Sequence, residues 1–101
     1  MIKMVCYNRK GKLISLQEYG KLFATKGYKI VLRTTLPNKK WVSTVWLGLD
    51  YSLGSTWTNK PLIFETMVFI NKKKLHELDV ERYSTEIEAR KGHNKMCAKW
   101  V

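Results

Sequence analysis

Residues 28–50, which read YKIVLRTTLPNKKWVSTVWLGLD, are the segment that decides the fold. From 28 to 36 the even positions share one face of a strand and Arg33 lies on the other, since successive strand side chains point to opposite faces. Residues 37–40, Pro-Asn-Lys-Lys, predict a turn, and residues 41–50 are rich in Val, Thr, Trp and Leu, which favour a returning strand. The segment therefore predicts a β-hairpin.

Toward the N-terminus the sequence predicts a second, shorter hairpin and a helix. Residues 4–14 indicate two short strands around a turn at residues 8–11, where Asn and Gly tolerate positive φ. Ser15 and Glu18 form a Ser-x-x-Glu capping box, and the apolar spacing after them predicts an amphipathic helix that ends at Gly27.

Toward the C-terminus the pattern predicts a loop, a central strand and a second helix. Residues 51–60 have the composition of a loop, and residues 62–70 are apolar on both faces except at Glu65 and Thr66. Thr85 begins a second capping box, followed by apolar residues at helical spacing. One face of that helix is predicted to carry Ala89, His93, Met96, Cys97 and Trp100. We expect a single α+β domain over residues 1–101, with an antiparallel sheet of four or five strands covered by two helices.

The charge of the chain indicates an anionic partner. The formal net charge is +11, from 19 Lys and Arg against eight Asp and Glu. Residues 1–49 contain ten basic residues and one acidic residue, whereas residues 50–101 contain nine and seven. Such an excess attracts anionic small molecules or nucleic acid, although it also serves solubility, and solvated turn tips would explain the lysine clusters without any function.

Several classes of function are disfavoured. No apolar run approaches the roughly 20 residues that cross a bilayer, so no membrane partner is expected. Cys6 and Cys97 are far apart and lack zinc-site spacing, and no nucleophile motif or phosphate loop is present. We therefore expect no metal, no cofactor and no enzymatic activity.

Two carboxylates stand out. Glu65 lies within an apolar strand, where a charge needs a partner, and Arg82, Arg33 or a ligand group is able to supply one. A structural salt bridge and a ligand contact both remain open for it. Asp50 follows the second hairpin strand, where it either hydrogen-bonds the turn backbone or contacts a ligand.

The aromatic content is high, with four Trp and five Tyr. Aromatic rings beside Lys and Arg stack on nucleobases while the cations hold phosphates, but the same rings also fill cores. Trp46 and Trp57 are compatible with either role, and Trp41 is predicted on the opposite face from Trp46. His93 is compatible with a packed, hydrogen-bonded histidine or an active one, and Gly92 before it suggests close backbone approach.

Three blocks carry a resemblance: VSTVWLGLD at 42–50, PLIFETMVF at 61–69, and ERYST at 81–85 with Gly-His at 92–93. In this order they resemble a family of small, largely uncharacterised proteins carried by bacteriophages and prophages. The resemblance covers about the last 60 residues. Family members commonly have a histidine where this chain has Tyr51.

The resemblance implies a phage accessory protein in the host bacterial cytoplasm that counters host defence. The leading expectation is a non-enzymatic binder that captures an anionic ligand such as a nucleotide messenger. A nucleic-acid-binding protein and an inhibitor of a host defence protein are the alternatives, and homo-oligomerisation is left open. The candidate ligand-binding residues are the polar members of the matched blocks together with Arg33: Trp46, Asp50, Tyr51, Glu65, Arg82, Tyr83, His93 and Arg33.

Overall fold

A computed structural model describes residues 5–50 and 60–101. In chain order the elements are β1 (Cys6–Tyr7), β2 (Leu13–Ile14), α1 (Leu16–Ala24), β3 (Ile30–Thr35), β4 (Trp41–Trp46), β5 (Phe64–Phe69), β6 (Glu77–Tyr83) and α2 (Glu86–Trp100). The segment at 28–50 forms the predicted hairpin, with the backbone of Lys39 at φ 75° in its turn.

The main sheet is an antiparallel meander with the strand order β3-β4-β5-β6. Each strand pairs with its neighbour in the sequence, which is what successive short hairpins produce. Val42 lies opposite Val68, and Thr44 lies opposite Thr66. β1 and β2 form a separate hairpin, joined to the chain after β4 by a bridge between Cys6 and Leu49. The predicted α+β class and single domain are confirmed.

Helix α2 packs on one face of the sheet. Ala89, His93 and Met96 are buried along it, as the helical spacing predicts. Thr85 and Glu88 make the predicted reciprocal capping box, with the Thr85 hydroxyl accepting from the Glu88 backbone N–H. The same register and alternation place Val42, Thr44, Trp46, Phe64, Thr66 and Val68 on the face that α2 covers.

The opposite face of the sheet is called here the open face. Strand alternation places on it Arg33, Trp41, Val45, Glu65, Met67 and Phe69. Among the residues that the structure describes, no helix packs across this face, because α2 lies on the other side and α1 packs chiefly at the β1–β2 hairpin.

Helix α1 lies at the end of the sheet where β4 stops. Its N-cap is Ser15, as predicted, but it ends at Ala24 and Thr25 caps it, so the prediction of an end at Gly27 was too long. Tyr19 packs on Trp46, with ring centroids 5.6 Å apart. Gly48, at φ 78°, allows this approach, since a Cβ there would lie 2.5 Å from the Tyr19 ring.

Two further boundaries differ from the sequence prediction. Strand β4 ends at Trp46 instead of continuing to Asp50, because the chain turns at Gly48. The lysine-rich segment 71–78 has the composition of a polar turn, but the turn is shorter than that because β6 begins at Glu77. Acidic residues alternate with apolar ones in β6, a pattern suited to the sheet edge that it forms.

Candidate functional site: a basic and aromatic surface

The main sheet separates the candidate residues predicted to form one polar pocket. Alternation turns neighbours in a strand to opposite faces, so Glu65 points away from α2 while Phe64 and Thr66 point toward it. The group on the α2 side is Trp46, Tyr83 and His93. The group on the open face is Arg33, Glu65 and Arg82. Arg33 and Trp46 nevertheless both line one cavity at the end of the sheet, whereas the sheet separates Glu65 and Arg82 from Tyr83 and His93.

His93 is a packed, hydrogen-bonded residue, only 1% exposed. Its Nε2 lies 2.8 Å from the Thr34 hydroxyl and its Nδ1 lies 2.7 Å from the Thr44 hydroxyl. The Thr44 hydroxyl also lies 2.6 Å from that of Thr66. Burial lowers the pKa of His93, which favours the neutral imidazole. This network joins α2 to three strands.

Tyr83 and Trp46 are also interior. The Tyr83 ring lies against Gly92, and its buried hydroxyl makes no hydrogen bond within the described part of the chain. Burial raises the pKa of the Tyr83 phenol, and the nearby Thr66 side chain offsets part of this effect without completing a hydrogen bond. Trp46 is 1% exposed, and its Nε1 donates to the Tyr7 carbonyl at 3.0 Å. Both side chains serve the core.

Glu65 finds the partner that its burial requires. Arg82 lies opposite it in β6, and its Nε donates to Glu65 Oε2 at 3.0 Å. Glu65 is 7% exposed, whereas the Arg82 side chain is 36% exposed. The salt bridge accounts for the carboxylate, and a ligand contact by Glu65 stays a prediction. Arg33, the other candidate partner, lies instead with its guanidinium carbon 5.6 Å from the centre of the Trp41 ring.

The Asp50 carboxylate contacts the backbone of the segment that leads into β5. Its Oδ1 accepts a hydrogen bond from the Leu62 backbone N–H at 2.9 Å. This partner lies just before β5, whereas the turn after Asp50, in which the backbone contact was predicted, lies outside the described residues. The predicted roles of Tyr51 and Trp57 fall on residues outside those the structure describes.

Two lysine-rich turns meet at one end of the sheet. In an antiparallel meander the β3–β4 and β5–β6 turns lie at the same end. Asn38 and Asn71 shape the two turns, with their Oδ1 atoms accepting backbone N–H bonds from Lys40 and from Lys73 and Lys74. We call the cluster the lysine end: Lys39, Lys40, Lys72, Lys73 and Lys74. No carboxylate of the described residues makes a salt bridge with it.

The lysine end continues onto the open face. A cavity of about 330 Å³ is lined by Lys39, Asn71, Lys72, Lys73 and by Thr35 of β3. Thr35 lies opposite Trp41 in β4, and Trp41 lies opposite Phe69 in β5. The Trp41 and Phe69 ring centroids are 5.6 Å apart, and both residues are only half-buried. Charged and aromatic groups are therefore adjacent here.

A second cavity, which we call the α1 groove, lies at the other end of the open face. Its volume is about 460 Å³, and Arg33 lines it. The edge strand β3 thus connects the two ends, with Thr35 at the lysine end, Arg33 in the middle and Ile30 in the α1 groove. At roughly 3.3 Å per residue, a strand of this length spans about 20 Å.

A third cavity, about 510 Å³, lies where the β1–β2 turn meets the start of α2. Arg9 is held there by Glu86, with Nε to Oε1 and Nη2 to Oε2 distances of 2.8 Å each. This pairing raises the pKa of Arg9 and lowers that of Glu86. Glu86 pairs with two of the three cations that line this cavity, Arg9 and Arg90, whereas no described carboxylate pairs with the lysine end, so this cavity is the poorer anion site.

In the sequence the lysine clusters belong to separate turns, and their meeting at one end of the sheet was not predicted. The signal was present in the order of hairpins, because alternate turns of a meander fall at the same end. Trp41 was placed on the opposite face from Trp46, and the structure confirms that separation.

Comparison with known proteins gives no match to this chain among family models, curated proteins or solved structures. Within residues 5–50 and 60–101, no three His, Cys, Asp or Glu side chains come together as a metal site. In the same ranges, no helix has the length and apolar character needed to span a membrane.

Proposed function

We propose that the protein binds single-stranded nucleic acid along the open face and catalyses no reaction on it. The observation that carries the proposal is the continuity of the lysine end with the Trp41–Phe69 pair and Arg33. Proteins that bind single strands without sequence preference combine a cationic surface, which follows the phosphates, with aromatic rings on which bases stack. The open face has both components.

The layout of the cations favours a polymer over a single small anion. The lysine end, Arg33 and Lys29 lie along the edge strand β3, which spans about 20 Å at roughly 3.3 Å per residue, instead of converging on one point. A mononucleotide would contact only part of that surface. A polyanion contacts several cations together and releases counterions at each, which makes its binding stronger and sensitive to salt.

The aromatic pair favours single strands over a duplex. In a duplex the base faces are already stacked on each other, so half-buried rings on the face of a sheet have no base face to contact. Trp41 and Phe69 project from the two central strands beside the lysine end, where unpaired bases are able to reach them.

Fluorescence anisotropy with labelled oligonucleotides tests the proposal. Single-stranded and double-stranded oligonucleotides of equal length are titrated with the protein at several salt concentrations. We expect tighter binding of the single strand, and an affinity that falls linearly with salt on a log–log plot. Absence of binding at low salt, or an affinity that does not change with salt, would contradict the proposal.

The biological role that we propose for this activity rests on the resemblance to proteins carried by bacteriophages and prophages. We propose an accessory role in the cytoplasm of an infected bacterium, in which the protein counters a host defence. Capture of a nucleotide messenger is the narrower form of this proposal, and the α1 groove supports it by its size and its two cations, Lys29 and Arg33. Calorimetric titration with nucleotides and cyclic dinucleotides tests it, and no heat with any of them excludes it.

A further inference from the structure

The α1 groove has the composition of a site for one nucleobase. Tyr19 and Phe23 of α1 form its aromatic wall, with ring centroids 5.7 Å apart. Ile30 and Val45, paired across β3 and β4, contribute apolar side chains. The volume of about 460 Å³ falls in the usual range for small-molecule pockets, roughly 300–1,000 Å³.

The groove also carries cations that are available to a phosphate. Lys29 places its Nζ 4.0 Å from the centre of the Phe23 ring, and Arg33 lines the same groove. Among the described residues, neither makes a salt bridge. A cation over an exposed ring contributes less than a base stacked on that ring. An entering base therefore gains by replacing the Lys29 ammonium, which is then free to pair with the adjoining phosphate.

The wall of the groove is held in place before any ligand arrives. The Tyr19 hydroxyl lies 3.4 Å from the Leu47 carbonyl oxygen, to which it donates a hydrogen bond, and its ring packs on Trp46. Gly48 leaves the space that the Tyr19 ring occupies. Phe23 stands beside this fixed ring and is 45% exposed. A preformed wall lowers the cost of ordering the site when a base binds.

We infer that the α1 groove takes one unstacked base of a bound single strand. The base stacks on Phe23, and the phosphate beside it contacts Lys29 and Arg33. This inference rests on the proposed function, because it makes the groove one end of the same strand-binding surface. It assigns the groove to a base and the lysine end to phosphates alone.

A comparison of two oligonucleotides isolates the base contact. One is an oligothymidylate of about twelve nucleotides, a length within the site sizes of single-strand binders, and the other is an abasic strand of equal length. The variant is Phe23→Leu, which keeps an apolar side chain and removes the aromatic ring. We expect the variant to bind the oligothymidylate roughly 5- to 100-fold more weakly and the abasic strand with unchanged affinity.

Two additional variants keep the result interpretable. Phe23→Tyr retains an aromatic ring and is expected to keep wild-type affinity for both strands. Lys29→Gln removes only a charge and is expected to weaken the binding of both strands equally. A 2-aminopurine at the strand terminus, quenched by the wild type but not by Phe23→Leu, reports the stacked base directly even where the variant is less stable.

The possible failures are distinguishable. Equal binding of the oligothymidylate by the wild type and Phe23→Leu, without a difference in 2-aminopurine quenching, overturns the inference and leaves the proposed function standing. An equal loss of affinity for the oligothymidylate and the abasic strand also overturns the inference, because the Phe23 ring would then contribute to binding without contacting a base. If the wild type binds neither strand, the proposed function itself fails.

Discussion

Trp41 and Phe69 lie directly opposite each other on neighbouring strands, with their ring centroids 5.6 Å apart on the face of the sheet that α2 leaves uncovered. A cross-strand aromatic pair contributes some stability to a sheet. In this sheet the pair is half-buried, has Arg33 beside it, and adjoins a cluster of five lysines. That neighbourhood fits a ligand-contacting surface better than a core.

Replacing Trp41 tests whether the pair stacks on bases. Trp41→Leu is expected to weaken binding of a single-stranded oligonucleotide by about 5- to 100-fold, the usual effect of removing one stacking ring. Anisotropy titration measures the change. Trp100→Phe is the control, since Trp100 ends α2, packs on the core cluster of Val42, Val68 and Met96, and donates to Asp79 on the other side of the sheet. Equal affinities of Trp41→Leu and the wild type would rule out stacking at this position.

Glu65→Gln separates a structural carboxylate from a ligand-binding one. Gln at this position loses the charge that pairs with Arg82, whose partial exposure lets water solvate it. We expect a loss of stability of about 1 kcal/mol, with affinity for single strands no weaker than in the wild type. Chemical denaturation and anisotropy measure the two quantities.

The control for this change is Glu81→Gln, which removes the same charge from an exposed position. If Glu65→Gln abolishes binding while its melting temperature equals that of the wild type, the carboxylate contacts the ligand and its assignment as a structural group is wrong.

Gly92→Ala is expected to destabilise the protein. A Cβ at this position would lie 2.2 Å from atoms of the Tyr83 ring, so α2 or the ring must shift. Overpacking of this kind costs about 1–3 kcal/mol. Gly20→Ala is the matched control, because Gly20 lies within α1 with nothing near its Cβ position, and it is expected to gain about 0.5–1 kcal/mol. Equal stabilities of the two variants in urea denaturation would contradict the packing described here.

Acid is expected to weaken the fold through His93. Burial lowers its folded-state pKa below the ordinary value of 6.5, so the unfolded chain binds the proton more tightly. The contribution of neutral His93 to the free energy of unfolding is therefore fully present above pH 6.5. It falls as the pH decreases below that value, by at most about 1.4 kcal/mol per pH unit. Urea denaturation between pH 7.5 and pH 5, a range chosen around that pKa, measures the slope.

The control is His93→Gln, which retains hydrogen-bonding groups but does not titrate. This variant is expected to be less stable than the wild type. It is also expected to lack the contribution of His93 to the slope of stability against pH between pH 7.5 and pH 5. Hydrogen bonds with Lys99 and with Arg9 lower the pKa values of Asp79 and Glu86, respectively, so these carboxylates contribute to the pH dependence at more acidic pH than His93 does. A slope that is the same in the wild type and His93→Gln would show that His93 is not its source.

The parts of the fold that could be predicted from the sequence are those that depend on local signals. The 28–50 hairpin, the Ser15 cap and the Thr85–Glu88 capping box depend on residues a few positions apart, and each is present in the structure. Gly92 also indicated close approach, and the Tyr83 ring supplies the neighbour.

The site was less predictable because it depends on register and on the face that α2 covers. Glu65 and His93 both looked like polar residues in apolar blocks, yet the sheet lies between them. The lysine turns lie more than 30 positions apart in sequence, and only the meander brings Lys39 beside Lys72. Composition predicted the positive charge but not the place where it gathers.

The salt dependence of a lysine-end variant tests the central claim most directly. Lys39, Lys72 and Lys73 are changed to Gln together, and a control loses the same charge at Lys10, Lys91 and Lys95, away from the open face. In a plot of log affinity for single strands against log salt concentration, the slope of the lysine-end variant should be shallower by about 2, since each phosphate contact contributes about 0.7. The control should keep the wild-type slope. Equal slopes in the two variants would contradict the binding surface described here.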